Sequence, residues 1–499
     1  MLQWIDFQKL LLLFKYDQND PLMFSSSLFL FLFLGLLILN RLFANNKTGR
    51  VVLLLLFSLF YYYKVSGLFF LLLVFTALVN YSAGIGIANS KSTLQRRIIF
   101  YAGLLINIGL LGYFKYTNFF IQLVNDFHIA ALNPLEILLP IGISFYTFKA
   151  LSYLIEIYWE NIEPEKNFLD FTLYIAFFGN ILAGPIDRPD SFLPQVKEKY
   201  NINKAEIGMA VFFIMSGLIK KAVIADYISV NFVDRVFDSP LRYSGVENLI
   251  AIYGYAIQIF CDFSGYTDLA MGISLLLGFK LMENFKAPYK AASVADFWRR
   301  WHISLSTWLL TYLFRPFQMK FRNMRIAGNA LALFLTFVIC GLWHGASWTF
   351  IFWGALHGFF MAVSLFTAKP RKLLYSKLGI QDSKILKGIQ IFITFHIVAI
   401  AWIFFRVADM QSGFDVFSQI FNFFRGEVFA QFIKAYPFIW GLMLLGYLIH
   451  FIPESIKLKS AELTGKLPLV AQAVLLALVM WLAVQAKSAD LQPFIYFQF

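Results

Sequence analysis

Residues 297–308 read FWRRWHISLSTW, two arginines and a histidine set among tryptophans in a chain that is otherwise lipid-soluble in character. On a helix turning about 100° per residue, Trp298, Trp301, Leu305 and Trp308 fall on one stripe, and Arg299, His302 and Ser306 fall on another. An interfacial helix with an aromatic belt and snorkelling arginines has this pattern. So does a helix whose polar stripe lines a water-accessible cavity and orients an anionic ligand, with Arg299 or Arg300 as the cation. Spacing alone does not separate the two.

A second stretch, CGLWHGASWTFIFWGALHGF, puts His344 between Gly341 and Gly345 at the tip of a hairpin of two apolar runs, with His357 further along the second arm. Imidazole is the side chain best placed to move a proton at neutral pH, so a buried His344 facing a cavity suits a general base acting on a hydroxyl. Glycine on either side leaves room for a ligand backbone to approach. His302 is the next candidate, and His357 a possible auxiliary catalytic or orienting group. His128, His396 and His450 have no such surroundings and read as structural or interfacial.

In YGYAIQIFCDFSGYTDLAMG, Tyr255, Gln258, Asp262 and Tyr266 share one helical face. An ionised Asp facing lipid costs about 2.5–3.5 kcal/mol on insertion scales, so Asp262 is expected to face an interior. With Gln258 and Tyr266 it reads as a structural polar network, bonded to helix-end amides or to an arginine, rather than as a catalytic acid. Other chemistries find little support. There is no G-x-S-x-G elbow and no G-x-x-x-x-G-K-[ST] phosphate loop, and the thiol of Cys340 sits in an apolar run that disfavours a thiolate. No two histidines share the i, i+4 spacing of a helical zinc site, so no metal is expected.

These groups need a frame, and composition supplies one. The chain has 499 residues, 59% hydrophobic and 14% charged, with a mean hydropathy of +0.67. Apolar runs recur from end to end, and helices of about 17–25 apolar residues cross a bilayer while satisfying their own backbone. The expected fold is an all-α integral membrane protein with about 11–13 transmembrane helices. Candidate spans include 24–43, 51–63, 66–88, 98–124, 137–159, 168–186, 207–225, 327–344, 347–366, 388–408, 436–452 and 467–486, and 247–278 is either one long helix or two broken near Gly265, Gly272 or Gly278. Residues 1–20 read as an amphipathic interfacial helix rather than a cleaved signal, and residues 21–499 as a single polytopic domain. The net charge of +13 is explained by positive-inside loops around Lys47 and Arg50, Lys91 to Arg97, 280–325 and 368–379, with no nucleic acid implied.

Several stretches together resemble the membrane-bound O-acyltransferase (MBOAT) family, in its bacterial branch of alginate O-acetylases and teichoic acid D-alanyl transferases. They are LPIGISFYTFKALSYLIEIYW from Leu139, LAGPIDRPDSFLPQ from Leu182, GLIKKAVIAD from Gly217, DFSGYTDLAMG from Asp262, NFKAPYKAASVADFWRRWHISLSTW from Asn284, GLWHGASWTFIFWGALHG from Gly341, AWIFFRVAD from Ala401 and the closing FIYFQF. The likeness covers nearly all of the chain and is nearer to the alginate type. It implies a ring of tilted helices around a central tunnel, with a catalytic core over about 139–366. It also implies His344 and His302 as catalytic residues, His357 as an auxiliary one, and Arg299, Arg300, Trp301, Ser306 and Trp343 as donor-binding or tunnel-lining residues. Two stretches depart from the family's pattern: LLTYLFRPFQMKFRNMRIAGN after Trp308, and FGNILAGP where Phe-Pro-Gln commonly precedes AGP. The resemblance implies that the first lies near the face that receives the acyl donor.

The function implied is O-acetylation of an exported or cell-envelope polysaccharide from a cytoplasmic thioester. Acetyl-CoA or an acyl-carrier thioester would be the donor, no cofactor would be tightly bound, and an extracytoplasmic SGNH-type acetyltransferase would be the partner. The location expected is the bacterial cytoplasmic (inner) membrane. Two rivals are D-alanyl transfer to teichoic acid from a carrier protein, and a transporter or flippase for lipid-linked glycan, which the absence of an internal repeat disfavours.

Overall fold

A computed structural model of the chain describes residues 12–18, 20–24 and 26–486. The interfacial helix expected over 1–20 lies outside the described residues except for 12–18 and 20, and so does FIYFQF. Among the described residues every regular element is helical, as a chain crossing hydrocarbon requires. We label the helices used below α1 (Ser27–Leu42), α2 (Lys47–Ser66), α3 (Phe70–Ala88), α4 (Thr93–Leu111), α5 (Ile143–Tyr158), α6 (Phe168–Ala176), α7 (Lys204–Leu218), α8 (Gly245–Leu276), α9 (Val294–Trp298), α10 (Ile303–Leu309), α11 (Arg325–His344), α12 (Trp348–Lys377), α13 (Lys384–Arg406), α14 (Pro437–Phe451), α15 (Glu454–Lys466) and α16 (Leu469–Gln485).

Six helical stretches are long and apolar enough to cross a membrane, and seven if Val428–Ala435 and α14, bent by 91°, form one span. The chain is therefore a multi-pass membrane protein. Several expected spans differ in form. The run 168–186 holds only the nine-residue α6, and 137–159 the sixteen-residue α5. Residues 171–178 are buried inside the protein, and an apolar run reads alike whether protein or lipid surrounds it. The long run is one unbroken helix, α8, of 32 residues. Its Gly265 serves close packing, since a Cβ there would lie 3.0 Å from the Gly217 carbonyl.

The chain gathers into two compact units, Met1–Ala210 with Ala270–Leu281, and Val211–Leu269 with Met282–Phe499. In the first, a buried chain of polar groups ties α5 to the LAGPIDRPD stretch. Lys149 Nζ donates to Asn180 Oδ1 at 3.0 Å, and Asn180 Nδ2 donates to Asp187 Oδ2 at 2.8 Å. Two cations read above as topology signals have structural partners as well: Lys47 pairs with Asp170 at 2.8 Å, and buried Arg50 donates to the Leu277 carbonyl at 2.7 Å. A guanidinium at a helix C-terminus stabilises the carbonyls left over there.

In the second unit the polar face of α8 has its partners. Asp262 pairs with Lys221 at 2.6 Å, and Lys221 also reaches Asp226 at 2.7 Å. The sequence suggested helix-end amides or an arginine; the partner is a lysine presented by a π-helical turn, Ile219–Ala225. Beside it, Lys220 and Ser216 hold Asp268, each at 2.7 Å. Gln258 donates to Ser229 Oγ at 2.8 Å, and Tyr266 is buried on the same face.

Candidate active site

All the candidate residues belong to the second unit. His302 lies at a break in the chain rather than on a continuous helix. Helix α9 ends at Trp298, α10 begins at Ile303, and His302 between them has φ +43°, in the left-handed region that non-glycine residues seldom adopt. The two stripes expected over 298–308 therefore do not form. Asn284 compensates for the break. Its carbonyl accepts the Ile303 N–H at 3.0 Å, and its side-chain Oδ1 accepts the Ser304 N–H and Ser304 O–H, each at 3.0 Å. The first amides of α10 are thus satisfied by a remote residue instead of a local cap.

The same oxygen lies 3.2 Å from His302 Nδ1. Because the Ser304 N–H can only donate, it fixes which end of the Asn284 amide faces the histidine. An amide oxygen only accepts, so Nδ1 carries the ring proton and Nε2 presents the lone pair. His302 is fully buried, with the Phe263 ring 4.6 Å away, edge to face. It lies outside the membrane-length helices, and burial lowers its pKa to about 3, which keeps the ring neutral.

The break gives the residues expected to work together different surroundings. Arg299 is exposed, whereas Arg300 is held by Asp296 at 2.9 Å, so Arg299 is the more available cation. Trp301 is buried, stacked on Phe297 at 5.6 Å and tilted against Trp402 at 5.0 Å. Half-buried Ser306 donates to the Trp301 carbonyl at 3.2 Å.

His344 is the last residue of α11 and is 3% exposed. The rings of Trp343, Trp353 and Phe405 stand 4.9, 5.0 and 5.2 Å from it. The flanking glycines do not leave room for a ligand, contrary to the sequence expectation. A Cβ on Gly341 would lie 2.2 Å from the Phe350 carbonyl, and one on Gly345 would lie 2.1 Å from the Phe350 ring. Helix α12 already fills both spaces, and the missing side chains are what let it approach the His344 turn.

His357 is fully buried on α12 and accepts a hydrogen bond at Nδ1 from the Trp298 indole N–H at 3.2 Å. An indole N–H only donates, so the neutral His357 ring carries its proton on Nε2. His302 and His357 are therefore locked in opposite tautomers, one presenting an acceptor and the other a donor. Trp353 links the set, 5.0 Å from His344, 4.9 Å from His357 and 5.8 Å from Trp298. Trp343 lies between His344 and His302, its ring 6.5 Å from the latter. The structure thus brings all three histidines into one aromatic shell.

Sequence reasoning missed Asn284, Trp353 and Phe405 as parts of this shell and the pairing of Trp298 with His357. Asn284 precedes His302 by 18 residues across a segment without periodicity, which leaves no local signal. Trp353 and Phe405 lay inside quoted motifs but were indistinguishable from lipid-facing aromatics. Among the described residues no three His, Cys, Asp or Glu side chains come together as metal ligands. Neutral imidazoles of fixed tautomer in a water-poor aromatic setting are suited to taking, giving and orienting single protons.

Comparison with known proteins gives a consistent picture. The profile of the MBOAT, membrane-bound O-acyltransferase family, matches residues 163–405. The chain is 35% identical over 428 residues to the peptidoglycan O-acetyltransferase of Helicobacter pylori, covering 79% of each protein. It is 35% identical over 419 residues to a Pseudomonas aeruginosa protein named probable alginate O-acetylase AlgI, covering 81% of this chain and 75% of the relative. With the teichoic acid D-alanyltransferase of Bacillus subtilis it shares 30% identity over 282 residues, 54% of this chain and 70% of the relative.

Proposed function

The chain belongs to the membrane-bound O-acyltransferase family and is an acyltransferase, and we propose that it O-acetylates an exported or cell-envelope polysaccharide from a cytoplasmic thioester, acetyl-CoA or an acyl-carrier thioester. The relatives are named for peptidoglycan, alginate and teichoic acid. Two that are named for O-acetylation match over 79% and 81% of this chain, the D-alanyltransferase over 54%; this breadth favours acetyl over D-alanyl.

In the proposed reaction His344 takes the proton from an acceptor hydroxyl as its oxygen attacks the thioester carbonyl carbon. The new C–O bond forms, the C–S bond breaks, and the thiolate leaves, taking up the proton that His344 received. His302 offers Nε2 as a hydrogen-bond acceptor, and His357 Nε2–H is an auxiliary donor. Arg299 attracts the phosphates of the donor at the entry. Where the acceptor hydroxyl belongs to an extracytoplasmic SGNH-type partner, a polysaccharide hydroxyl attacks that ester in turn and the partner's hydroxyl is released with the proton; the protein works in the bacterial cytoplasmic membrane. The observation that carries this reading is the gathering of three buried histidines in one aromatic shell, two with tautomers set by Asn284 and Trp298.

The test compares ester-linked acetate on purified polysaccharide from cells carrying the natural chain and His344→Ala at matched protein level. Acetate is expected to vanish while the polymer is still exported. Unchanged acetate removes the assignment, loss of export points to a flippase, and loss of ester-linked D-alanine instead would identify the other acyl group.

A further inference from the structure

Besides the shell around His302, His344 and His357, the second unit carries an open apolar groove of about 830 Å³. Its walls come from the first half of α8, from α13 and from α14, and include Ile250, Phe392, Phe395, Trp440, Leu444 and Phe451. The volume falls in the range of about 300–1,000 Å³ that encloses a whole small ligand. Helix α13 is membrane-length, and its exposed Ile389, Phe392 and Ile393 carry the apolar surface outward from the groove. The histidine and the tyrosines in the wall are already engaged. His396 donates from Nδ1 to the Phe392 carbonyl at 2.8 Å and accepts at Nε2 from the Tyr253 hydroxyl at 3.0 Å, while Tyr447 O–H donates to the Tyr253 carbonyl at 2.9 Å. The groove offers little to water and much to a hydrocarbon chain.

Cations gather at one end. Phe451, a lining residue, accepts from Lys290 Nζ at its carbonyl at 3.1 Å, and the same Nζ lies 5.8 Å from its ring centre. Lys457, on α15 just beyond, is partly buried; burial, and then the nearby charges of Lys220 and Lys290, lower its pKa. Of the carboxylates whose charge reaches Lys457, Asp268 is paired with Lys220 at 2.7 Å and Glu283 with Lys286 at 3.0 Å. Among the described residues neither Lys290 nor Lys457 has an ion-pair partner. Two such cations near the Phe451 end of an apolar groove call for an anion attached to an apolar chain.

We propose that this groove binds an anionic phospholipid of the surrounding bilayer, an acyl chain lying between α13 and α14 and the headgroup phosphate on Lys290 and Lys457. The charge at the mouth selects for the anionic headgroup, and the walls select only for hydrocarbon.

The test uses the full-length protein in vesicles of phosphatidylglycerol or phosphatidylcholine, followed by native mass spectrometry after mild detergent extraction. Phosphatidylglycerol is expected to be retained in preference to phosphatidylcholine. Lys290→Ala with Lys457→Ala should abolish that preference, each lysine weakening retention roughly fivefold. Gly388→Trp, where a Cβ on α13 meets nothing within 4 Å, should fold and lose both lipids by filling the groove. Equal retention of the two lipids by the natural chain overturns the proposal, as does an unchanged preference in the double variant. A dimer that Gly388→Trp dissociates would assign the groove to a second copy and overturn it too.

Discussion

The side-chain oxygen of Asn284 accepts from His302 Nδ1 at 3.2 Å and from the Ser304 N–H at 3.0 Å, so one atom orients a histidine and starts a helix. Asn284→Asp keeps the acceptor but sets a carboxylate beside the imidazole. A negative neighbour favours the imidazolium, so the pKa of His302, which burial lowers to about 3, must rise. Protonation then consumes the Nε2 lone pair. Acetyl transfer by Asn284→Asp is expected to fall as pH drops through the raised pKa, while the natural chain keeps His302 neutral over the same range. A variant whose pH profile overlays the natural one would remove Nε2 from the reaction.

Trp298→Phe keeps an aromatic ring against Phe337 and Trp353 but deletes the donor to His357 Nδ1. A buried acceptor left unpaired costs about 1–3 kcal/mol, and His357 becomes free to move its proton to Nδ1. Acetate per folded molecule is expected to drop by roughly 5- to 150-fold if His357 Nε2–H serves the reaction. A purely structural bond would lower the melting temperature and leave the activity per folded molecule unchanged.

Particular residues show how far the sequence carried. His344 in its hairpin and Asp262 facing an interior were both legible, because a charge or an imidazole in an apolar run has few tolerable environments. The helical stripes over 298–308 were not, because the chain turns at His302 with φ +43° and no glycine marks the turn. Its compensation comes from Asn284, which no local pattern links to it. Gly341 and Gly345 were visible but ambiguous, since room for a ligand and room for a neighbouring helix look the same in one dimension. The run at 171–178 was misleading in another way: hydropathy cannot tell burial in protein from exposure to lipid.

Lys221 is bonded to both Asp226 and Asp262, at 2.7 and 2.6 Å, with little exposure on the lysine or on Asp262. Removing one partner of a buried ion pair costs about 3–5 kcal/mol because the opposing charge stays behind. Lys221→Met is therefore expected to lower the melting temperature in detergent sharply. Lys221→Met combined with Asp226→Asn and Asp262→Asn leaves no stranded charge and should recover most of that loss, as scored by size-exclusion profiles after heating. If the triple variant is as unstable as the single one, the network does more than neutralise charge.

The two glycines beside His344 predict different genetic behaviour. At Gly341 an added methyl meets the Phe350 backbone carbonyl at 2.2 Å and the Gly354 Cα at 3.2 Å, neither of which can rotate away. Gly341→Ala must push α11 and α12 apart, and a misplacement of about 1 Å in a catalytic group can cost roughly 100-fold in rate. At Gly345 the obstacle is the Phe350 ring, a side chain, and the backbone there is extended at φ −158°, which any residue adopts. Gly345→Ala alone should also reduce acetate, but Phe350→Leu in the same chain should restore much of it by vacating the space. The same second substitution should do nothing for Gly341→Ala. Rescue of both by Phe350→Leu would mean that ring crowding, and not the spacing of the two helix backbones, fixes the position of His344.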